Sequence, residues 1–422
     1  MSLRLGFSLS GLLALALASS ASAAFAPGGG EFLVTRTVDS QQGDPVATFG
    51  PGGVSLVVWA DSRHGVRGQL FDPEGAKRGG TLGLAPNRLP SIPGEGPAAL
   101  GAEPAAVFLA DGGFLLVWAE ERGYLRVEAF HQKFDLEERR VLARRFNASG
   151  EAAGRVFAIS SSTDRLESWP RVHALADGKV LAVWRSDRDA GAGGAANGLV
   201  ARHLNGQGRP RGAEARVSAE GDQQAQYTSF AQSPGGQVLL AWEGCCDAGG
   251  DLGIFVRAYD SSTGGFGPVR QVNVVTAQKQ RRPTLAADGD RGFLVLWQGI
   301  IDRTNGHIFG RFVDLTGEPT AGQFQVSHGH GSVQVAPAVA AKPDGGYLAV
   351  WRDWVGVFFG VTAVELDAAG QPQGELVRLN SRGLQKTGRT SLATDGAGTF
   401  LVPYEKGFKG RPGIGASRIE VE

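Results

Sequence analysis

The residues of this sequence with the strongest chemical character share one position in a repeated segment. Each lies directly before a short strand that mostly begins with proline. The set comprises Asp44, Glu103, Trp169, Tyr227, Arg282, Ala336 and Arg389. Around a single opening, the two aromatic residues would stack on sugar rings, while the acids and arginines would form bidentate hydrogen bonds. All of them except Ala336 therefore predict a site for a polar or sugar-like ligand. The alternative is that these loop ends are polar because they meet water.

A second group of polar residues, also at strand ends, could carry acid–base chemistry. Its members follow apolar strands: Asp61, Glu120, Glu243, Asp353 and Glu405. Two carboxyl groups at a fixed separation can hydrolyse a glycosidic bond, and Asp44 and Glu103 belong to neighbouring repeats and could also approach each other. The sequence sets no pKa for these groups. We expect the second group to be solvated strand ends, since no acid–base or nucleophile–base spacing stands out.

The sequence predicts no metal and no cofactor. His328 and His330 of "HGHG" supply two imidazoles, fewer than the three or four ligands of a zinc site. His64 and His307 lie in loops that could reach the same opening.

The two cysteines, Cys245 and Cys246, are adjacent. In an oxidising compartment they could form a vicinal disulfide, which would stiffen its loop but close almost no chain. We expect such a bond to be structural, with no redox function.

A repeat organises the chain and places these residues. Aligning the sequence on an aromatic residue gives seven units, each of which opens with a short strand starting at Pro45, Pro104, Pro170, Thr228, Pro283, Pro337 or Thr390. The aromatic follows fourteen residues later in every unit, at Trp59, Trp118, Trp184, Trp242, Trp297, Trp351 and Tyr404. A third strand, a tight turn and a fourth strand complete a four-stranded antiparallel meander.

The second strands, such as "YLAVW" and "FLLVW", are apolar on both faces. A sheet with one face in water would alternate polar and apolar residues, so these strands indicate sheets stacked around an axis. The last unit stops at its third strand, "GASRIEVE" (415–422), and "GEFLVTR" (30–36) matches a fourth strand. We therefore predict an all-β, seven-bladed β-propeller of four-stranded antiparallel blades, whose N-terminal strand completes the last blade. One domain spans 24–422, and an insertion at 119–146 forms an extended hairpin that could be a partner contact, a lid or a decorative loop.

Units of the form "PAVAAKPDGGYLAVW…IFGRFVDLTGEPTAGQFQVS" resemble a repeat of secreted and surface propeller proteins of bacteria. They are also distantly similar to TolB-type propeller repeats, with their strand-leading "PDG". The resemblance covers roughly residues 30–422 and implies the fold. It does not imply a function, because propellers host hydrolases, lyases, lectins and scaffolds.

Residues 1–23 have the layout of a secretory signal peptide, with Arg4, an apolar run and "ASA" at 21–23. The protein is then expected in the periplasm, the medium or at the cell surface. The full chain has 42 basic and 42 acidic residues, and removal of Arg4 with the signal leaves 41 − 42 = −1. Near-neutrality argues against nucleic acid or an anionic membrane as the main partner. No later stretch is apolar enough to insert into a membrane.

We therefore expect a secreted, monomeric binding or scaffold module, which holds a polysaccharide or a surface protein at its central mouth. The alternative is a hydrolase or lyase that acts on a polysaccharide with acids at the same mouth.

Overall fold

The structure is a computed structural model. It describes residues 30–35, 40–86, 102–128, 131–161, 165–188, 198–220, 222, 224–245, 250–276, 278–300, 306–327, 333–355, 358–380, 390–408 and 411–421. The predicted signal peptide lies outside these residues. Within these ranges the one helical segment is a 3-10 turn at Pro51–Gly53, and no helix is long and apolar enough to cross a membrane.

The strands of the first half of the chain form one short N-terminal strand, one four-stranded sheet and one eight-stranded sheet. The N-terminal strand is β1 (Gly30–Leu33). The four-stranded sheet contains β2 (Gln42–Phe49), β3 (Ser55–Asp61), β4 (Gly65–Phe71) and β5 (Lys77–Ala85). The eight-stranded sheet contains β6 (Ala105–Phe108), β7 (Phe114–Glu128), β8 (His131–Phe146), β9 (Phe157–Ala158), β10 (Arg165–Ala174), β11 (Val180–Arg188), β12 (Gly198–Leu204) and β13 (Pro210–Arg216).

The second half forms four further sheets. The first contains β14 (Gln226–Gln232), β15 (Val238–Gly244), β16 (Gly253–Asp260), β17 (Gly265–Phe266) and β18 (Arg270–Gln271). The next contains β19 (Gln280–Ala287), β20 (Phe293–Ile300), β21 (Gly306–Val313) and β22 (Phe324–Gln325). It is followed by β23 (Gln334–Ala341), β24 (Tyr347–Val355), β25 (Phe358–Leu366) and β26 (Pro372–Arg378). The last sheet contains β27 (Ala393–Thr394), β28 (Thr399–Phe408), β29 (Arg411–Glu420) and the N-terminal β1.

The fold is an all-β propeller, but the prediction of seven four-stranded blades is wrong. Among the described strands, five sheets are separate blades of four or five strands, and the remaining sheet has eight. The eight-stranded sheet arises because β8 pairs in parallel with β10, through Arg139 and Leu166. The sequence repeat counts chain units, and it does not show which units share a hydrogen-bonded sheet.

The chain ends meet as the sequence predicts. Strand β1 pairs antiparallel with β29 in a register that sets Gly30 opposite Arg418 and Leu33 opposite Gly415. This pairing covers the edge of β29, which would otherwise present unpaired backbone groups to solvent. The 119–146 insertion also forms the predicted hairpin, since β7 and β8 pair from Phe114–Phe146 out to Glu128–His131.

The core lies between the sheets, where the aromatic residues of the repeat pack. All seven have at most 3% of their surface exposed: Trp59, Trp118, Trp184, Trp242, Trp297, Trp351 and Tyr404. Strands β3 and β15 are buried along their whole length. Both faces of a second strand therefore contact neighbouring sheets, which explains why these strands do not alternate.

Candidate active site

The predicted ring residues share an unusual backbone conformation. Six of them have φ between 42° and 54°: Asp44, Glu103, Trp169, Tyr227, Arg282 and Ala336. A shift of register accompanies the conformation in β2, β10, β14, β19 and β23. A bulge of this kind re-aims a side chain and its amide at a strand end. Because Ala336 adopts it too, the strained backbone belongs to the repeat and does not by itself mark a site.

The bulge turns the backbone N–H of a ring residue towards a polar side chain of the preceding unit. The N–H of Arg282 donates to Glu243 Oε2 at 2.7 Å, and the N–H of Asp44 donates to Glu405 Oε1 at 3.2 Å. Ala336 makes the equivalent bond to Gln298 at 3.3 Å. We call this contact the inter-unit lock. It fixes the rim of the mouth by joining consecutive units.

The expectation that the acids after the second strands are solvated is wrong for four of them. Glu243 is 0% exposed, Asp61 5%, Asp353 7% and Glu120 8%. Buried carboxyl groups need partners. Asp353 accepts the indole N–H of Trp351 at 3.1 Å, so part of this group supports the core. Trp351 and Asp353 are two residues apart in β24, and the spacing alone does not show that their side chains bond.

On one side of the mouth, aromatic and arginine side chains form a continuous stack. The rings of Trp169 and Tyr227 lie 5.2 Å apart at an interplanar angle of 16°. Arg185 lies over Trp169 at 5.5 Å and Arg282 over Tyr227 at 5.3 Å. Cation–π contact holds each guanidinium flat on its ring. The edge of Arg282 can bind an anion, whereas Arg185 is already ion-paired with Asp187 at 2.7 Å. Three predicted ligand residues thus come together, and Arg185 is one that the sequence analysis missed.

The base of the β7–β8 hairpin extends this side of the mouth. Arg139 forms an ion pair with Glu103 at 3.2 Å, and Glu103 also accepts the backbone N–H of Trp169. Glu103 is therefore joined directly to the aromatic stack, and it is already occupied by a cation and an amide.

On the other side of the mouth, two carboxyl groups lie together. Glu405 accepts the N–H of Asp44, and the charge of the Asp44 carboxylate acts on it. Burial, reinforced by that charge, raises the pKa of Glu405 to about 7, although the Asp44 amide and the cation Arg352 act in the opposite direction. Arg352 is itself 4% exposed and senses the charge of Arg282. Glu405 can therefore hold a proton near neutral pH beside a second carboxyl group, an arrangement that acid catalysis uses.

The mouth opens into a central cavity of about 700 Å³. Its walls are the first strands of the units, with small apolar side chains such as Ala105, Ala338 and Val46. Tyr227 and Arg282 stand at the rim. A cavity of this size with a few convergent polar groups fits a ligand-binding site, whereas a plugged mouth would have favoured a scaffold.

Some predicted residues lie away from this site or outside the described residues. Arg389, Cys246, His328 and His330 are outside them. Cys245 is disulfide-bonded, and its N–H donates to Asp222 at 2.8 Å. Among the described residues, no group of three or more His, Cys, Asp or Glu side chains could hold a metal ion.

Sequence reasoning also missed Trp354. It lies near the mouth-side end of β24, two residues after Arg352, and 42% of its surface is exposed. The sequence feature that could have indicated it is the second tryptophan of "WRDW", which follows the core residue Trp351. An exposed indole at this edge offers a further flat surface for a sugar ring.

Comparisons with known proteins show the fold. No protein-family model and no curated relative matches the chain. An ulvan lyase structure aligns with a TM-score of 0.59 at 10% identity, over 92% of this chain and 96% of that one. A protein of unknown function from Dyadobacter fermentans aligns at 0.54 and 16% identity, over 76% and 94%. An α-L-arabinofuranosidase from Fusarium graminearum aligns at 0.50 and 11%, over 76% and 92%. At these identities the comparisons establish a β-propeller, and the TolB-type resemblance stays a prediction.

Proposed function

We propose that this protein is a polysaccharide-cleaving enzyme whose substrate lies across the central mouth. The observation that carries the proposal is the carboxyl pair of Asp44 and Glu405, in which the pKa of Glu405 is raised to about 7. A protonated Glu405 can donate a proton to the oxygen that leaves when the sugar–sugar bond breaks, and general acid catalysis depends on such a donor. The proposal therefore reverses our expectation from sequence of a non-catalytic module.

The surroundings of the pair suit an extended glycan. The Trp169–Tyr227 stack lies on one side of the mouth, and the exposed Trp354 lies near Arg352 on the other. Arg282 stands between them and favours substrates that carry acidic groups. The ulvan lyase and the arabinofuranosidase that share the fold act on glycans, which supports the same class of substrate at the level of analogy only.

The test is to incubate the purified protein with acidic and neutral polysaccharides and to follow chain length by size-exclusion chromatography. We expect shortening of at least one acidic polysaccharide, and loss of that activity in Asp44→Asn. Asparagine tolerates the left-handed backbone of position 44, so this variant should fold. Asp344→Asn, in the turn at the opposite end of the propeller, is the matched control and should cleave normally.

A second candidate is polysaccharide binding without cleavage. The observation in its favour is that Glu405 forms an inter-unit lock like that of Glu243, so its position has a structural use. In that case the polysaccharide binds with a measurable Kd and its chain length never changes.

A further inference from the structure

The turn between β3 and β4 contains an acid–histidine pair, Asp61 and His64, to which the proposed function assigns no role. Nδ1 of His64 lies 2.9 Å from Oδ1 of Asp61. The His64 side chain is 43% exposed and the Asp61 side chain 4%. A buried carboxylate that binds one ring nitrogen fixes the tautomer of the imidazole and leaves the other nitrogen to exchange protons with what lies outside.

Asp61 is built to remain a carboxylate. Oδ2 accepts Ser40 Oγ at 2.7 Å and Gln42 Nε2 at 3.1 Å, and Oδ1 accepts the backbone N–H groups of Arg63 and His64 at 3.0 Å each. Burial raises the pKa of Asp61, but these hydrogen bonds outweigh it and hold the pKa below its ordinary value. The carboxylate therefore stays charged, orients His64, and would stabilise the imidazolium formed when His64 accepts a proton.

The pair lies at the mouth end of its blade, the end of β2 that also carries Asp44. Strands β2 and β3 are antiparallel with Gln42 opposite Asp61, so the turn that holds His64 is at the end where β2 begins. Asp61 binds Gln42, and Glu405 binds the N–H of Asp44, two residues further along β2. Two residues of a strand span about 7 Å. Asp61, which orients His64, and Glu405 thus bind positions two residues apart on β2.

We infer that His64, oriented by Asp61, is the proton acceptor of a β-elimination that cleaves uronate-containing polysaccharides. This inference rests on the proposed function and specifies its reaction. His64 takes the hydrogen from the carbon next to the sugar carboxylate, and the released electron pair forms a double bond to the adjacent carbon. The bond from that carbon to the linking oxygen breaks, and the oxygen takes the proton of Glu405. Arg282 binds the sugar carboxylate and stabilises the charge that develops on it. No water or oxidant is consumed.

The test compares the wild type with His64→Ala and His307→Ala on polygalacturonate, alginate and hyaluronan. Cleavage is read as ultraviolet absorbance of the new carbon–carbon double bond and, separately, as new reducing ends. His307 is the matched control because its Nδ1 has no hydrogen-bond partner among the described residues. We expect His64→Ala to lose about 100-fold or more of the elimination rate. The melting temperature of His64→Ala should not change, since Asp61 still caps the turn. His307→Ala should keep both the elimination rate and the melting temperature of the wild type.

Each other outcome overturns the inference, the proposed function or both. If His64→Ala cleaves at the wild-type rate, the inference fails while the proposed function stands. If reducing ends appear without double bonds, the enzyme is a hydrolase and the inference again fails alone. If the wild type cleaves none of the three substrates, the inference fails, and the proposed function fails with it only when the other acidic and the neutral polysaccharides are also left intact. In Asp61→Asn, a positioning role moves the pH at which the rate changes, whereas a purely structural role lowers only the folded fraction.

Discussion

Glu243 and Glu405 occupy the same position of the repeat but have different surroundings. Both follow a core aromatic residue, and both accept the backbone N–H of a left-handed residue in the next unit, Arg282 and Asp44 respectively. Glu243 is fully buried, accepts Gln226 at 2.8 Å and faces the cation Arg281 at 3.4 Å. Glu405 is half-buried, and the carboxylate of Asp44 lies beside it.

The framework is the same around the two acids, and only the neighbouring side chains differ. Burial raises the pKa of both acids, but the hydrogen bonds and the cation around Glu243 give it only a locking role. At Glu405 the charge of a second carboxyl group, Asp44, opposes that of the cation Arg352, and the side chain keeps part of its surface exposed. The inter-unit lock fixes the position of each carboxyl group. In our proposal, the charged side chains around that group determine whether it also transfers protons.

The largest expected effect comes from Glu405→Gln. Glutamine keeps an oxygen that can accept the Asp44 N–H, but it has no proton to donate. We expect the cleavage rate to fall about 100- to 10,000-fold while the melting temperature stays the same. Rates on an acidic polysaccharide and thermal unfolding of the same preparation check this. If the melting temperature falls together with the cleavage rate, the loss of activity reflects unfolding, and Glu405 serves only as a lock.

Glu243→Ala should act on stability. Its removal leaves the Arg282 N–H, the Gln226 amide and the Arg281 guanidinium without their acceptor, and we expect the free energy of unfolding to fall by about 2–3 kcal/mol. Urea unfolding measures it. Glu243→Gln is the control, since it keeps an acceptor for the amide and should lose less. Unchanged stability in Glu243→Ala would remove the basis for treating the contact as a lock.

The pH dependence separates the two acids further. The pKa of Glu405 is raised from 4.5 to about 7, so its proton-donating form declines as pH rises through 7. We expect the rate to fall about tenfold per pH unit above that value. By linkage, the contribution of this group to stability is full below pH 4.5 and is lost as pH rises through about 7. A rate that is flat from pH 6 to 9 contradicts the assignment.

Arg282 has two separate roles. Its backbone N–H forms the inter-unit lock with Glu243, and its side chain faces the mouth. Arg282→Lys keeps the N–H bond to Glu243 but loses the planar contact with Tyr227 and the bidentate anion contact. We expect KM for an acidic polysaccharide to rise about fivefold to tenfold, with stability unchanged. Steady-state kinetics check this, and an unaltered KM would exclude the side chain from binding.

The smallest expected effect is that of Gln298→Ala. Gln298 is the neutral member of the lock series, and its bond to the Ala336 N–H is long at 3.3 Å. Its loss should cost about 1 kcal/mol of unfolding free energy and leave cleavage intact. A loss as large as that of Glu243→Ala would mean that the charge of Glu243 contributes nothing.

The propeller can be predicted from the sequence because the pattern that indicates it lies within each short unit and recurs in every unit. The constant distance from Pro45 to Trp59 and its equivalents, with second strands apolar on both faces, requires stacked sheets. The number of blades depends on pairing between units. The contact of Arg139 with Leu166, which creates the eight-stranded sheet, has no counterpart in the repeat.

The candidate site residues can be singled out from the sequence where the repeats differ. Trp169, Tyr227 and Arg282 stand out because their types vary at one fixed position, and in the structure their side chains stack. Glu405 was assigned to the solvated strand ends because no pattern shows that the bulge of the next unit covers it. The acid–histidine pair corresponds to a short motif in the sequence, "DSRH". Its aspartate caps a turn that ends on the histidine.

The most direct test of the central claim measures the rate at which wild type, Glu405→Gln and Glu243→Gln cleave one acidic polysaccharide, with melting temperatures recorded in parallel. We expect a folded but inactive Glu405→Gln, and a Glu243→Gln that is less stable yet cleaves at the wild-type rate when folded. If both variants cleave at that rate, the mouth of this propeller is not the site of cleavage.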